Sequence, residues 1–112
     1  MKDTVIQITR YGMGTGDQEL QLKLVGKYLE LIKANESLPA MICLYTDGVR
    51  LAVSGSPVLE GLRALEAAGV RLILCNTCLE HYGLAGQVQV GIVGGMTDII
   101  EAQVKGAKVI TI

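Results

Sequence analysis

The chain has 112 residues, half of them hydrophobic, and a net charge of −1. This length fits one domain that can bury a core without disulfides or a structural metal. Its charges are mixed and scattered, so no basic or acidic surface points to nucleic acid or to a membrane as a partner. Because the chain has no Trp or Phe, Leu, Ile, Val and Ala must fill the core.

The first residues, MKDTVIQITRY, lack the basic start, apolar run and cleavage site of a secretory signal. Later apolar runs are too short to span a bilayer. We therefore expect a cytoplasmic protein, in which the three cysteines stay reduced and form no disulfide framework.

The amino-terminal half predicts two strands around one helix. The first strand is expected at residues 4–9 and the second at 40–45. Between them a helix runs from Gln18 to about residue 35, with Asp17 placed to cap its start. The helix is indicated by apolar residues at helical spacing, namely Leu20, Leu24, Val25, Tyr28, Leu29, Leu31 and Ile32. A turn-rich stretch follows, with room for a short extra strand at 51–53.

The carboxyl-terminal half continues the alternation. Ser56 as N-cap, Pro57 at the first helical position and Gly69 just past the end bracket the next helix. The remaining expected elements are strands at 70–75, 88–93 and 108–112 and a helix at 97–105. This order predicts one domain over residues 1–112, a three-layer α/β/α sandwich around a mainly parallel five-stranded sheet.

Right-handed crossovers would place all the loops from strand to helix at one edge of such a sheet. Those loops are residues 10–17, 46–56, 75–83 and 94–97. We therefore predict a binding cleft at this edge. Its candidate residues are Tyr11, Gly12, Gly14, Asp47, Gly48, Thr77, His81, Tyr82, Gly94, Gly95 and Met96.

A thiol pair lies in the third loop, CNTCLEHYG. Thr77 and Glu80 have capping-box spacing, which would start a short helix at Cys78. A thiol at a helix start is expected to have a lowered pKa. Cys75, at the end of the preceding strand, would face the same cleft. The pair therefore predicts reactive cysteines, and Arg10 and Arg50 could place positive charge near their anions.

Other interpretations stay open for these motifs. Cysteines at strand ends can be small core residues, which is the interpretation favoured for Cys43. The C-x-x-C pair could be a thioredoxin-like redox site. With His81 it could hold a metal, although a fourth ligand is missing. YGMGTGD suggests a nucleotide loop, but its glycine spacing does not match the dinucleotide fingerprint, so no cofactor is expected.

Three segments, TDGV, LCNTCLEHYGL and GGMTDIIEAQVKGAKVITI, resemble the DsrE/DsrF-like family of sulfur-relay domains. The resemblance covers nearly the whole chain and is strongest to the carboxyl-terminal domain of YedF-type proteins. It implies a flavodoxin-like sandwich that often forms homo-oligomers. A preceding TusA-like domain, usual in YedF-type chains, has no counterpart in this sequence.

The resemblance also implies a function. In related members a cysteine eight residues before a glycine carries sulfane sulfur as a persulfide, and Cys75 and Gly83 match that spacing. By this match Cys75 is the carrier and Cys78 assists. We therefore expect a sulfur-relay protein, a possible sulfurtransferase, whose partners are donor and acceptor proteins, with a TusA-like protein as one candidate. The alternative is a non-catalytic binding or assembly module with structural cysteines.

Overall fold

The computed structural model describes the whole chain, residues 1–112. Its sheet has five parallel strands in the order β4-β3-β2-β1-β5. The strands are β1 (Thr4–Ile8), β2 (Met41–Leu44), β3 (Arg71–Cys75), β4 (Ile92–Gly94) and β5 (Lys108–Thr111). The predicted α/β fold with a parallel five-stranded sheet is confirmed.

Four α-helices and two short 3₁₀ helices connect these strands. The α-helices are α1 (Gln18–Ala34), α2 (Leu59–Ala67), α3 (Asn76–His81) and α4 (Met96–Lys105), and the 3₁₀ helices cover Thr46–Ala52 and Ala85–Gln87. The strands β2, β3 and β4 are added one after another on one side of β1, and β5 then pairs with the other side of β1. Right-handed crossovers therefore place α1 and α2 on one face and α4 on the other. None of the helices combines the length and hydrophobicity needed to cross a membrane.

The two faces of the sheet are covered differently. Alternate residues of β1, β2 and β3 bury aliphatic side chains, namely Ile6, Ile8, Ile42, Leu44, Leu72 and Leu74, toward α1 and α2. The opposite face is partly polar beneath α4. There Gln103 Nε2 donates to Gln7 Oε1 at 2.5 Å, and Gln7 Nε2 donates to Thr111 Oγ1 at 2.8 Å. These bonds satisfy the buried Gln7 amide.

Local sequence explains where α1 begins and where α2 ends. The Asp17 carboxylate accepts the Leu20 N–H at 2.9 Å, so the predicted cap of α1 is confirmed. Gly69 follows α2 with a φ of 104°. Its N–H bonds to Glu66 O, and the Val70 N–H bonds to Leu65 O. This pair of bonds ends the helix in a Schellman motif, which requires the left-handed conformation that glycine adopts freely.

Three predicted boundaries are wrong. The second helix begins at Leu59, because the Ser56 hydroxyl accepts the Val58 N–H at 3.2 Å in the preceding turn. The short strand considered possible at 51–53 is not formed, because the first 3₁₀ helix extends to Ala52. Only Val53 pairs, in an isolated antiparallel bridge with Val88. That bridge uses the residue at which the fourth strand was expected to start, and β4 begins at Ile92.

Candidate thiol site

Cys75 and Cys78 lie where β3 passes into α3, at the carboxyl end of the sheet. Cys75 is the last residue of β3 and the N-cap of α3, and Cys78 is the third helical residue. The helix therefore starts two residues earlier than the capping box predicted. No side chain caps it, and Thr77 lies exposed within it, because Cys75 already occupies the N-cap position.

The two thiols differ in their access to solvent. Cys75 is 0% exposed and belongs to the aliphatic core. Cys78 is partly exposed, and neither residue forms a disulfide. Cys43 is also fully buried, within β2, as expected for a core cysteine. Of the three cysteines, only Cys78 is positioned to meet a molecule from solution.

A backbone amide from the neighbouring loop contacts the exposed thiol. The Thr46 N–H donates to Cys78 Sγ at 3.1 Å. Thr46 begins the 3₁₀ helix that follows β2, so this bond joins the loop after β2 to the helix after β3. An N–H donor stabilises a sulfur anion more than a neutral thiol.

Burial nevertheless raises the pKa of Cys78 above its ordinary value. The Thr46 amide lowers this pKa, whereas hydrogen bonding and like charge from Cys75 raise it further. The lowered pKa expected for a thiol at a helix start is therefore not found. Cys78 is partly buried against the aliphatic core, and desolvation outweighs the amide.

Asp47, which follows Thr46 in the chain, forms a cluster with Arg50 and Tyr82 near the thiol contact. Arg50 Nε lies 3.2 Å from Asp47 Oδ1, and the Arg50 guanidinium lies 4.1 Å from the centre of the Tyr82 ring. Hydrogen bonding to the Asp47 carboxylate raises the pKa of Tyr82. The His81 ring packs edge-on against Tyr82 with ring centres 5.5 Å apart. Asp47, Arg50 and Tyr82 thus form a cluster that joins the two loops.

An open depression of about 370 Å³ lies beside this cluster. It is lined by Tyr11, Arg50, Val53, Ser54, Gly55 and Leu84. The predicted loops after β1 and β2 therefore share one surface with Leu84, the residue that follows the predicted loop after β3. Its shallow shape suits a protein surface or an extended segment better than an enclosed small molecule.

The other predicted cleft residues have different positions. Gly12 packs against the Gln21 backbone with a φ of 139°, while Gly14 and His81 are exposed. Gly94 pairs with Cys75 in the sheet. The Gly95 N–H donates to Asp98 Oδ2 at 2.8 Å, and Met96 is half exposed. None of these residues lines the depression.

Two features of the site have no signal in the sequence. The first is the contact of the Thr46 N–H with the Cys78 sulfur, because a residue type does not indicate which thiol its backbone amide will contact. The second is the stacking of Arg50 on Tyr82: the sequence indicates only a positive charge near the thiols, and the stacking depends on the packing of α3.

No three His, Cys, Asp or Glu side chains come together as metal ligands. Cys75, Cys78 and His81 are thus not grouped as the three ligands that the metal interpretation requires.

The comparison with known families decides the classification. A sequence profile of the DsrE/DsrF-like family matches residues 3–112. The chain belongs to the DsrE/DsrF-like family. No protein of curated function is significantly similar to this DsrE/DsrF-like chain. Its YedF-type character stays a prediction.

Solved structures similar to this DsrE/DsrF-like chain support the fold. The ychN protein of E. coli has a TM-score of 0.75 at 22% identity, with both chains covered completely. MTH1491 of Methanobacterium thermoautotrophicum has a TM-score of 0.72 at 21% identity, with 97% of each chain covered. BT1422 of Bacteroides thetaiotaomicron has a TM-score of 0.70 at 18% identity, covering 98% of this chain and 95% of its own.

Proposed function

We propose that this chain is a sulfur-relay protein that carries sulfane sulfur as a cysteine persulfide. The observation that carries the proposal is the thiol pair at the carboxyl edge of the sheet. One thiol is accessible and bonded to an amide, and the other lies beside it in the core. Membership of the DsrE/DsrF-like family, which the sequence resemblance links to sulfur relay, supports the same chemistry.

Exposure favours Cys78 as the thiol that meets the donor. The family resemblance assigns this role to Cys75, but Cys75 has no exposed surface in the folded chain. Thiol exchange requires an attacking sulfur that the donor can reach in line with the bond being broken. We therefore propose Cys78 as the first acceptor of sulfur and Cys75 as the assisting thiol.

Loading consists of one displacement. The Cys78 thiolate attacks the outer sulfur of a donor persulfide, R–S–SH, and a new sulfur–sulfur bond forms on Cys78 as the donor bond breaks. The donor leaves as R–S⁻, and Cys78 holds the persulfide. No electron is gained or lost overall, and neither a metal nor an organic cofactor takes part.

Two routes unload the persulfide. An acceptor thiolate can attack its outer sulfur, which transfers that sulfur and restores the Cys78 thiolate. Alternatively, the Cys75 thiolate attacks the inner sulfur, expels HS⁻ and leaves a Cys75–Cys78 disulfide. A dithiol reductant must then reduce this disulfide, and the two electrons it supplies balance the release of sulfide.

Sulfur loading followed by intact-protein mass spectrometry tests the proposal. The protein is incubated with inorganic polysulfide, desalted and compared with its Cys75→Ser, Cys78→Ser and Cys43→Ser variants. We expect Cys75→Ser and Cys43→Ser to hold one added sulfur and Cys78→Ser to hold none. Added sulfur on Cys78→Ser together with none on Cys75→Ser would make Cys75 the carrier, and no sulfur on any form would remove the proposed function.

We also propose that the donor and acceptor are proteins. The open shape of the depression beside Arg50 and Tyr11 supports a docking partner. A TusA-like protein is the first candidate to test. Mixing persulfidated chain with a reduced TusA-like protein should move the added sulfur to the partner in the mass spectrum. Retention of the sulfur by this chain would exclude that partner.

The burial of Cys75 and the raised pKa of Cys78 favour one alternative, a binding module with structural cysteines. In that case polysulfide should add sulfur neither to the wild-type chain nor to any of the cysteine variants. A dithiol redox protein would instead show reversible Cys75–Cys78 oxidation in a glutathione buffer without retaining sulfur. These two measurements separate both alternatives from a sulfur carrier.

A further inference from the structure

Thr46 has an unusual backbone conformation. Its φ is 48°, in the left-handed region, and the only other non-glycine residue with a positive φ is Glu36. A β-branched side chain is strongly disfavoured there. Such a conformation persists only where surrounding contacts hold it, and it often marks a functional position.

Contacts on both sides hold Thr46 in place. Its hydroxyl lies 2.6 Å from the Thr9 carbonyl oxygen and 2.7 Å from that of Tyr45, and it can donate its proton to either. Gly48 packs on the end of β1, where an added Cβ would lie 1.9 Å from the Ile8 oxygen. The Gly48 N–H also donates to Tyr45 O at 3.0 Å. The turn is thereby fixed against two strand ends.

We propose that Thr46 is a positioning residue of the thiol site, whose hydroxyl anchors a strained turn so that its N–H points at the Cys78 sulfur. This contact measures 3.1 Å. The N–H stabilises the sulfur when it becomes an anion, whether by losing its proton or as the leaving group when an acceptor removes the sulfane sulfur. The role in transfer rests on the proposed function, whereas the positioning does not.

A fixed amide suits this role. The N–H is already aimed before the anion forms, so little reorganisation opposes the charge. Hydrogen bonds to charged groups are stronger than those to neutral ones. The amide is also the only neighbour found to lower the pKa of Cys78 against burial and Cys75. Loosening the turn should therefore affect the thiolate more than the neutral thiol.

The test compares Thr46→Val with Thr46→Ser. Valine removes the hydroxyl and keeps the shape, whereas serine keeps the hydroxyl. The rate of Cys78 alkylation by iodoacetamide is measured across pH by peptide mass spectrometry. We expect Thr46→Val to shift the profile to higher pH and to slow alkylation at neutral pH roughly 3- to 10-fold. Thr46→Ser should stay near the wild-type profile.

Further variants control for folding and locality. Thr46→Gly lacks the hydroxyl but adopts the positive φ without strain, so it should fold and still shift the profile. Thr97→Val makes the same change at an exposed threonine of α4 and should have no effect. Protection of the buried Cys43 from alkylation reports an intact core. Unchanged profiles in both Thr46→Val and Thr46→Gly would overturn the proposal.

Sulfur loading separates this inference from the proposed function. If the profile shifts but the wild-type chain takes up no sulfur from polysulfide, Thr46 positions the thiol and the relay function fails. If the wild-type chain loads sulfur and the Thr46 variants keep the wild-type profile, the relay function stands and the positioning role fails.

Discussion

At Cys78, neighbouring groups act on the thiol proton in opposite directions. Burial and Cys75 favour the protonated form, and the Thr46 amide favours the anion. Two adjacent thiols cannot both ionise without repulsion. The pair is therefore suited to holding one negative charge at a time, which the proposed sequential attack by two sulfurs requires.

Removing the Cys75 sulfur should lower the pKa of Cys78. Cys75→Ala deletes both the hydrogen-bonding partner and the like charge that raise this pKa. We expect the alkylation profile of Cys78 to move to lower pH, with a faster rate at neutral pH. Cys43→Ala, which changes a buried cysteine of β2, is the matched control. An unmoved profile in Cys75→Ala would show that the two thiols do not interact.

Because its thiol is buried, Cys43 should lower the free energy of unfolding in alkali. Burial raises its pKa from 9.0 to about 11, so above pH 9 the folded chain retains a proton that the unfolded chain releases. Stability linked to this group is therefore present below pH 9 and is lost as the pH rises. By pH 11 the loss should reach about 2 kcal/mol. Urea unfolding at pH 8 and pH 11 should show a smaller decrease in Cys43→Ala, and equal decreases would contradict this assignment.

At the scale of elements, the turn after β2 depends on a close backbone approach at Gly48. Gly48→Ala would place a methyl group 1.9 Å from the Ile8 oxygen and must displace the turn. We expect a loss of roughly 2 to 3 kcal/mol in the free energy of unfolding, measured by urea denaturation. Gly86→Ala is the control, since a Cβ there meets nothing within 4 Å. Equal stability of the two variants would mean that the turn accommodates the added methyl group without a loss in the free energy of unfolding.

Element order was predictable because it depends on patterns repeated over many residues. Asp17 and the apolar spacing after it located α1 within one residue of each end. The short elements were less predictable. Thr77 and Glu80 form a valid capping signal, but the chain enters α3 directly from β3, and Cys75 takes the cap position. For β4, apolar content alone could not show that Val88 pairs with Val53 outside the sheet.

The candidate site was predictable in part. The order of strands and helices is enough to predict that the loops after β1, β2 and β3 lie at one edge of the sheet. The sequence could not show which cysteine is exposed, since both follow an apolar strand and differ only by the turn of α3. Nor could it show the contact from Thr46 to Cys78, which joins residues 32 positions apart.

At the scale of the whole molecule, the outer surface of α4 predicts self-association. Met96, Ile100 and Val104 are 49%, 52% and 79% exposed at a spacing of four residues, and Ile92 of the edge strand β4 is 56% exposed. Exposed apolar rows and unpaired edges of this kind often mark interfaces between subunits. We therefore expect the chain to form a homo-oligomer through α4 and β4.

Sedimentation velocity at micromolar concentration tests this expectation. Ile100→Lys with Val104→Lys should reduce the assembly to a monomer by burying charge in the interface. Leu31→Lys is the control, because Leu31 is an exposed apolar residue on α1, on the opposite face of the sheet. A monomeric wild-type chain would exclude the assembly, and dissociation by Leu31→Lys would place the interface on α1.

The pairing of β1 with β5 has a consequence for how the molecule is made. Gln7 and Thr111 are 104 positions apart yet bond to each other, so a ribosome must release almost all of this segment before that edge of the sheet can close. Residues 4–82, which supply the thiol site, emerge earlier. Until β5 arrives, the nascent chain exposes an open strand edge that other chains could join. Slow translation near the end of this segment should therefore increase aggregation rather than improve the yield of native protein.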